Sequence, residues 1–255
     1  MTADPLDKPL ATHYPAGLMW FRRDLRAHDN AALSRALRAC RPVHAVFVFD
    51  RAILDPLPRR DRRVEFIWES LVQLDEALRQ RAGKAGAGLI VRHAVAEDEI
   101  PRLARELGVQ AVFTNHDYEP QAIARDAAVR GALADAGIAL HTTKDQVIFE
   151  RNEVVTQAGR PYAVFTPYKN AWLAKVDAQD LQPHEVQAHA GALAERPPAL
   201  RRPVPTLAEI GFEPTNLREL ALPLGLAGGQ QLFEDFRRRI DAYRDARDFP
   251  AVRGP

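Results

Sequence analysis

The chain has 255 residues, 46% of them hydrophobic and 27% charged, and 35 Lys plus Arg against 34 Asp plus Glu give a formal net charge of +1. This composition excludes disorder throughout, and the length allows one sizeable core without disulfide or metal staples. The even charge balance excludes nucleic-acid binding through global charge, so any such contact needs a local patch, and the single cysteine, Cys40, excludes an intramolecular disulfide.

Residues 1–16 carry Asp4, Pro5, Asp7, Pro9 and Pro15 with no apolar core, so they read as a loose leader and not as a secretory or transit signal. The longest apolar runs, 17–21 and 45–49, are far shorter than the roughly 20 residues a membrane span needs. A cytoplasmic protein without membrane contact is therefore expected, and one lone cysteine suits a reducing compartment.

Five β-rich runs follow, at 17–21, 43–49, 89–92, 109–114 and 138–141. Between them the apolar period turns helical: Leu33, Ala36, Leu37 and Cys40; then Val64, Ile67, Leu71, Leu74 and Leu78; then Ile100, Leu103, Ala104 and Leu107. Strands with little alternation, each followed by an amphipathic helix, predict a doubly wound α/β domain with a parallel sheet of order 3-2-1-4-5, Rossmann-like and covered on both faces.

From 177 to about 227 seven prolines interrupt any period, which predicts an extended connector lying over a surface. A helix over about 230–247 is predicted next, with Phe233, Phe236, Ile240 and Tyr243 on one stripe and Arg237, Arg238, Arg239 and Arg244 largely on the others. An apolar stripe at the end of a connector, with nothing after it to pack against, suggests the front part of something longer. The arginine run reads either as a solvated helix face or as phosphate contacts.

Ligands of an open parallel sheet sit beyond the carboxyl ends of its strands, where strand order reverses. There the first strand runs into Arg22-Arg23-Asp24-Leu25-Arg26, the second into Asp50-Arg51 and the fourth into Asn115-His116-Asp117-Tyr118-Glu119. These groups either converge on a polar or anionic ligand or cap helices, Asp29 or Asn30 the first and Glu119-Pro120 the fourth, and spacing alone leaves both readings open. A dinucleotide fingerprint is missing, since no glycine follows Phe21 where a backbone must approach a pyrophosphate. Gly83, Gly86 and Gly88 follow a helix and read as its cap and the turn into the third strand. His184-Glu185-Val186-Gln187-Ala188-His189 has a five-residue step between histidines where zinc ligands on one helical face need four. No nucleophile has an evident base, and Cys40 falls on the apolar stripe of its helix as a small core residue.

Five strings carry a resemblance: Leu18-Met19-Trp20-Phe21-Arg22-Arg23-Asp24-Leu25-Arg26, Asp61-Arg62-Arg63-Val64-Glu65-Phe66-Ile67, Asn115-His116-Asp117-Tyr118-Glu119-Pro120, Thr166-Pro167-Tyr168-Lys169-Asn170-Ala171-Trp172 and Tyr243-Arg244-Asp245-Ala246-Arg247-Asp248-Phe249-Pro250. On these the chain resembles the amino-terminal part of the DNA photolyase and cryptochrome family, bacterial deoxyribodipyrimidine photolyases above all. The resemblance implies a light-driven lyase that splits cyclobutane pyrimidine dimers in damaged DNA, with reduced FAD held in a carboxyl-terminal helical domain that this sequence does not include. It implies a monomer organised as a leader (1–16), an antenna α/β domain (17–176), an interdomain linker (177–227) and the start of the FAD-binding domain (228–255). Tyr243 then falls where the family contacts FAD and Arg247 where it contacts a DNA phosphate. No catalytic residue and no metal ligand falls in this chain, so the chain alone is expected to be inactive in repair.

In relatives with a deazaflavin or flavin antenna, positions matching Arg23, Asp50, Asp117 and Glu119 line the second chromophore's pocket. In relatives using methenyltetrahydrofolate an Asn-Glu pair and a histidine hold the pterin, and here those positions are Gln121-Ala122 and Leu57. Losing the Glu removes the acceptor for the pterin's donors. Two rivals share these features: a cryptochrome-like blue-light photoreceptor, and a stand-alone nucleotide- or flavin-binding module that would bury Phe233, Phe236 and Ile240 against the α/β domain.

Overall fold

The computed structural model describes residues 13–249 and 251–252; most of the leader, Pro250 of the last family-like string and residues 253–255 lie outside the described residues. Five parallel strands, β1 (Gly17–Phe21), β2 (Val43–Asp50), β3 (Leu89–Ala94), β4 (Ala111–Asn115) and β5 (Ala139–Thr143), form one sheet of order β3-β2-β1-β4-β5, as the sequence predicts. Strand ends differ from the predicted runs by one or two residues, because pairing extends β2, β3 and β5 past their apolar stretches.

Alternation along each strand feeds two cores. Met19, Phe21, Phe47 and Phe49 pack under α1 (Ala31–Ala39) and α3 (Arg62–Ala82), while Leu18, Trp20, Val46 and Val48 pack under α4 (Ala96–Glu106) and α5 (Pro120–Asp135). Burial of side chains this size contributes about 1.5 to 3 kcal/mol each. The short α2 (Arg51–Leu54) follows β2 directly, with Asp50 as its N-cap. Asn30 caps α1, accepting from the Leu33 N–H at 3.0 Å, and Gly83 ends α3 at φ +62° in the left-handed region. Cys40 is buried in the first core, where burial pushes its thiol up to about 12 and leaves it inert.

The proline-rich stretch does lie over a surface, and it is more firmly packed than its composition suggests. Val186, Leu193, Leu200, Leu207, Ile210 and Phe212 are buried. Helix α3 holds the strap along much of its length: Glu65 accepts the Thr215 N–H at 2.8 Å, the Trp68 indole donates to the Pro205 carbonyl at 2.7 Å and Arg218 pairs with Glu69. The Arg196 guanidinium is buried at 6% exposure, donating to the carbonyls of Leu89 and Arg202 at 3.2 and 2.9 Å and lying 3.6 Å from Asp75. His184 is half-buried where the strap meets the α/β domain, its backbone N–H donating to Asp29 at 2.8 Å, and among the described residues no cluster of three or more His, Cys, Asp or Glu could hold a metal.

Of the helices that follow β5, one lies over residues for which the sequence reading names no element and one starts earlier than predicted. Helix α6 (Phe165–Lys175) buries none of its residues, and Phe165 is 72% exposed. Helix α7 (Gly225–Arg239) starts earlier than predicted, because Gln73 of α3 caps it from outside, donating to the Leu224 carbonyl at 3.0 Å and accepting the Ala227 N–H at 3.2 Å. It tightens into a 3₁₀ turn over Ile240–Ala242 before one last turn, α8 (Tyr243–Ala246). Phe233 and Ile240 of the predicted stripe are exposed and Phe236 is half-buried, so the burial that a stand-alone module requires is not found. Among the described residues no helix is long and apolar enough to cross a membrane.

Candidate functional site

A cleft of about 660 Å³ opens beyond the carboxyl ends of β1, β2 and β4, beside the point where strand order reverses. Its apolar wall comes from Trp20 of β1, Phe47, Val48 and Phe49 of β2, Ile53 and Leu54 of α2, and Val64 and Ile67 of α3. Its polar rim sets Arg22, Arg23 and Arg125 among Asp50, Glu97, Asp117, Glu119 and Gln121. All four residues that the resemblance implies for the antenna pocket, Arg23, Asp50, Asp117 and Glu119, stand on this cleft.

Their states differ. Asp50 is committed to the backbone, its Oδ1 accepting the N–H groups of Ala52 at 3.1 Å and Ala96 at 3.3 Å, so it fixes the starts of α2 and α4. Arg23 lies 3.4 Å from Asp117 and 3.9 Å from Glu119, with Asp117 well covered and Arg23 and Glu119 turned to solvent. Asp117 is held in place, its Oδ1 also accepting the Glu119 N–H at 3.3 Å, whereas the exposed Arg23–Glu119 pair contributes little to stability and leaves those two side chains free to turn toward a ligand.

The polar groups at the strand ends divide into separate sets. Asp24 and Asn115 face inward: Asn115 Nδ2 donates to Asp24 Oδ2 at 2.6 Å and to Asn30 Oδ1 at 3.0 Å, while its Oδ1 accepts the Ala32 N–H at 2.9 Å and the Thr143 hydroxyl at 2.6 Å. Asp24 also accepts the Arg22 N–H at 2.9 Å, which pins the turn carrying Arg22 and Arg23. This buried, satisfied network positions the rim and offers nothing to a ligand. Arg26 pairs with the buried Asp145 at 2.9 Å. His116 Nδ1 and the Tyr118 hydroxyl both meet Glu150 Oε2, at 2.8 and 2.7 Å.

Burial acts to raise the Glu150 carboxyl, and the hydrogen bonds from Tyr118 and His116 outweigh it, so the group sits below its ordinary 4.5. A depressed carboxyl stabilises the fold above its unfolded value and loses that contribution as pH falls through the folded one. Glu150→Gln is therefore expected to cost about 1 to 2 kcal/mol near pH 7, with the gap from wild type closing below pH 4.5. Urea unfolding of both proteins across this range measures it, and a gap that does not change with pH contradicts it.

Sequence reasoning did not place Trp20, Glu97 and Arg125 in the site. Trp20 reads as one more core residue of a strand, although its position next to Arg22 at the carboxyl end was a usable signal. The indole is 1% exposed, with the Arg22 and Arg125 guanidiniums 4.8 and 5.2 Å from its ring centre. Gln121 and Ala122 line the cleft, whereas Leu57 lines a neighbouring groove with Arg51, Arg59 and His93. Tyr243 and Arg247 lie outside the cleft at the last helical turn, the Arg247 guanidinium 5.9 Å from the Tyr243 ring centre and both side chains largely exposed.

Comparison with known proteins bears on this arrangement. The chain is 37% identical over 246 residues to the deoxyribodipyrimidine photo-lyase of Halobacterium salinarum, which covers 91% of this chain and 48% of that protein. The structure of a bacterial class III photolyase from Agrobacterium tumefaciens superposes with a TM-score of 0.75 at 26% identity, covering 99% of this chain and 50% of the other. An archaeal photolyase from Sulfolobus tokodaii, solved with two FAD molecules and described as implying a novel light-harvesting cofactor, superposes with a TM-score of 0.53 at 31% identity over 64% of this chain and 35% of that one. The chain thus spans about half the length of the photo-lyase relative it matches. A family model for DNA photolyase matches residues 17–189, which take in the whole sheet and every residue of the cleft, and the chain belongs to the DNA photolyase family as its amino-terminal α/β domain.

Proposed function

We propose that this chain is the light-harvesting part of a light-dependent DNA repair enzyme that splits cyclobutane pyrimidine dimers, and that its cleft holds a second chromophore of the flavin or deazaflavin kind. The observation that carries the reading is the cleft itself, of a volume suited to a small cofactor and made of an apolar wall with a rim of both charges. A planar heteroaromatic ring system has apolar faces and an edge of carbonyl acceptors and N–H donors. Trp20, Phe49, Ile53 and Leu54 suit the faces; Arg23 and Arg125 suit the carbonyls, and Asp117 and Glu119 suit the donors. A folate held through an Asn-Glu pair is a poorer fit, because Ala122 has no acceptor at the second position.

When bound, such a chromophore supplies light absorption and passes its excitation on. The chain's own residues do the rest. The Asp24–Asn115 network fixes the turn that presents Arg22 and Arg23, Asp50 fixes the mouth through α2, and the apolar wall keeps water from the ring faces. The dimer-splitting FAD is assigned to the helical half that longer family members have, with Tyr243 as a contact to it and Arg247 as a contact to a DNA phosphate. On this reading the chain is cytoplasmic and monomeric, meets damaged DNA only as part of the full-length protein, and has no repair activity by itself.

Riboflavin titrated into the purified chain tests the cleft. Saturable binding of one equivalent, with a dissociation constant in the micromolar range or below and a shifted visible band, is expected. Absence of saturable binding by riboflavin and by a deazaflavin contradicts it.

A further inference from the structure

We propose that Arg22 and Arg125 guard Trp20, keeping its indole from giving an electron to the excited chromophore in the cleft; this rests on the cleft being a chromophore site. Of the chain's three tryptophans, Trp20 alone lines the cleft. Indole is among the most easily oxidised side chains, and a photo-excited flavin or deazaflavin is a strong one-electron oxidant. Transfer of one electron from Trp20 would leave an indole radical cation and a one-electron-reduced chromophore, and the electron's return would release the absorbed energy as heat. No bond changes, but the excitation is lost to any acceptor. A cleft that collects light therefore conflicts with the indole in its wall.

The two guanidiniums address this conflict. At 4.8 and 5.2 Å from the ring centre they are attracted to the neutral indole. Once the ring loses an electron the same cations repel it, and a site this dry screens the repulsion weakly. Asp126 offsets part of the charge, lying 2.6 Å from Arg22 and 3.2 Å from Arg125. The two cations are stacked on the ring itself, while Asp50, Glu97, Asp117 and Glu119 on the cleft rim offset a further part of their charge. Both arginines are themselves buried, at 9% and 12% side-chain exposure. Buried guanidiniums carry a desolvation cost that an aliphatic side chain covering the indole would avoid; Arg22 offsets its cost in part by donating to the Asn115 carbonyl at the end of β4, while Arg125 meets Asp126 and the ring face.

The excited-state lifetime of riboflavin bound to the chain reads the effect directly. Arg125→Gln is expected to shorten it by roughly tenfold. Asp126→Asn is expected to lengthen it, Arg125→Lys to stay close to wild type, and Trp20→Phe to abolish the sensitivity, so that Trp20→Phe with Arg125→Gln is as long-lived as wild type. Asp126→Asn keeps the comparison available if the glutamine variant folds poorly, since an unchanged lifetime there also contradicts the guard. A lifetime unchanged by Arg125→Gln, or shortened equally when Trp20 is Phe, overturns the guard while leaving the cleft as a binding site. Failure of the wild-type chain to bind riboflavin or a deazaflavin overturns both the chromophore reading and the guard that depends on it.

Discussion

Replacing Arg196 by alanine is expected to destabilise the chain by about 3 to 5 kcal/mol, the range found when one partner of a buried ion pair is removed. The guanidinium is 6% exposed and reaches from the proline-rich strap into the α/β core, to the Leu89 carbonyl and the Asp75 carboxylate, while also holding the strap's own Arg202 carbonyl. Asp75 is also buried and keeps only the Leu89 N–H at 2.7 Å and Arg79 at 2.8 Å, so the substitution leaves its charge less compensated. Arg196→Met, which retains most of the volume but none of the donors, separates lost packing from lost hydrogen bonds. Both variants are expected to lower the urea midpoint well below wild type, with alanine the worse, and to expose the strap to proteolysis. A loss under about 1 kcal/mol in both would mean that the strap is held by its apolar contacts alone.

Filling the cleft should act on binding and leave the fold standing. Ala122, near the start of α5, lines the cleft beside Gln121 and Arg125, and a tryptophan there projects into about 660 Å³ of space. Ala122→Trp is expected to weaken riboflavin binding at least about 100-fold, or about 2.7 kcal/mol, with a melting temperature within a few degrees of wild type. Ala52→Trp, on exposed α2 at the other side of the mouth, repeats the test where overpacking cannot disturb a buried helix face. Undiminished binding in both variants would place the ligand elsewhere.

Much of this molecule was legible in its sequence, for physical reasons that differ by element. Runs such as 45–49 and 111–113 are apolar throughout because both faces of a parallel sheet are covered, and the helical period between them fixes the crossovers. The reversal of strand order pointed to the loops after the first, second and fourth strands, and the family resemblance singled out Arg23, Asp50, Asp117 and Glu119 within them, all of which line one cleft. The same rule does not tell which polar side chains face a ligand and which face each other: Asp24 and Asn115 sit in the same loops and form a closed network. Trp20 and Arg125 escaped notice because a strand residue and a helix residue become cleft wall only through tertiary packing. The start of α7 was hidden for a similar reason, since its cap, Gln73, is some 150 positions away. The prolines of 177–227 announced an irregular path, but the α3 side chains that bind it carry no local signal.

The most direct test of where the chromophore sits is amide hydrogen exchange in the free and riboflavin-saturated chain. Slower exchange confined to residues 22–24, 50–54, 95–97 and 117–125, the segments that frame the cleft, is the expected result. Protection instead at the groove of Arg51, Arg59, His93 and Phe212, or at that of Arg26, Lys144 and His184, with residues 117–125 unchanged, would contradict it.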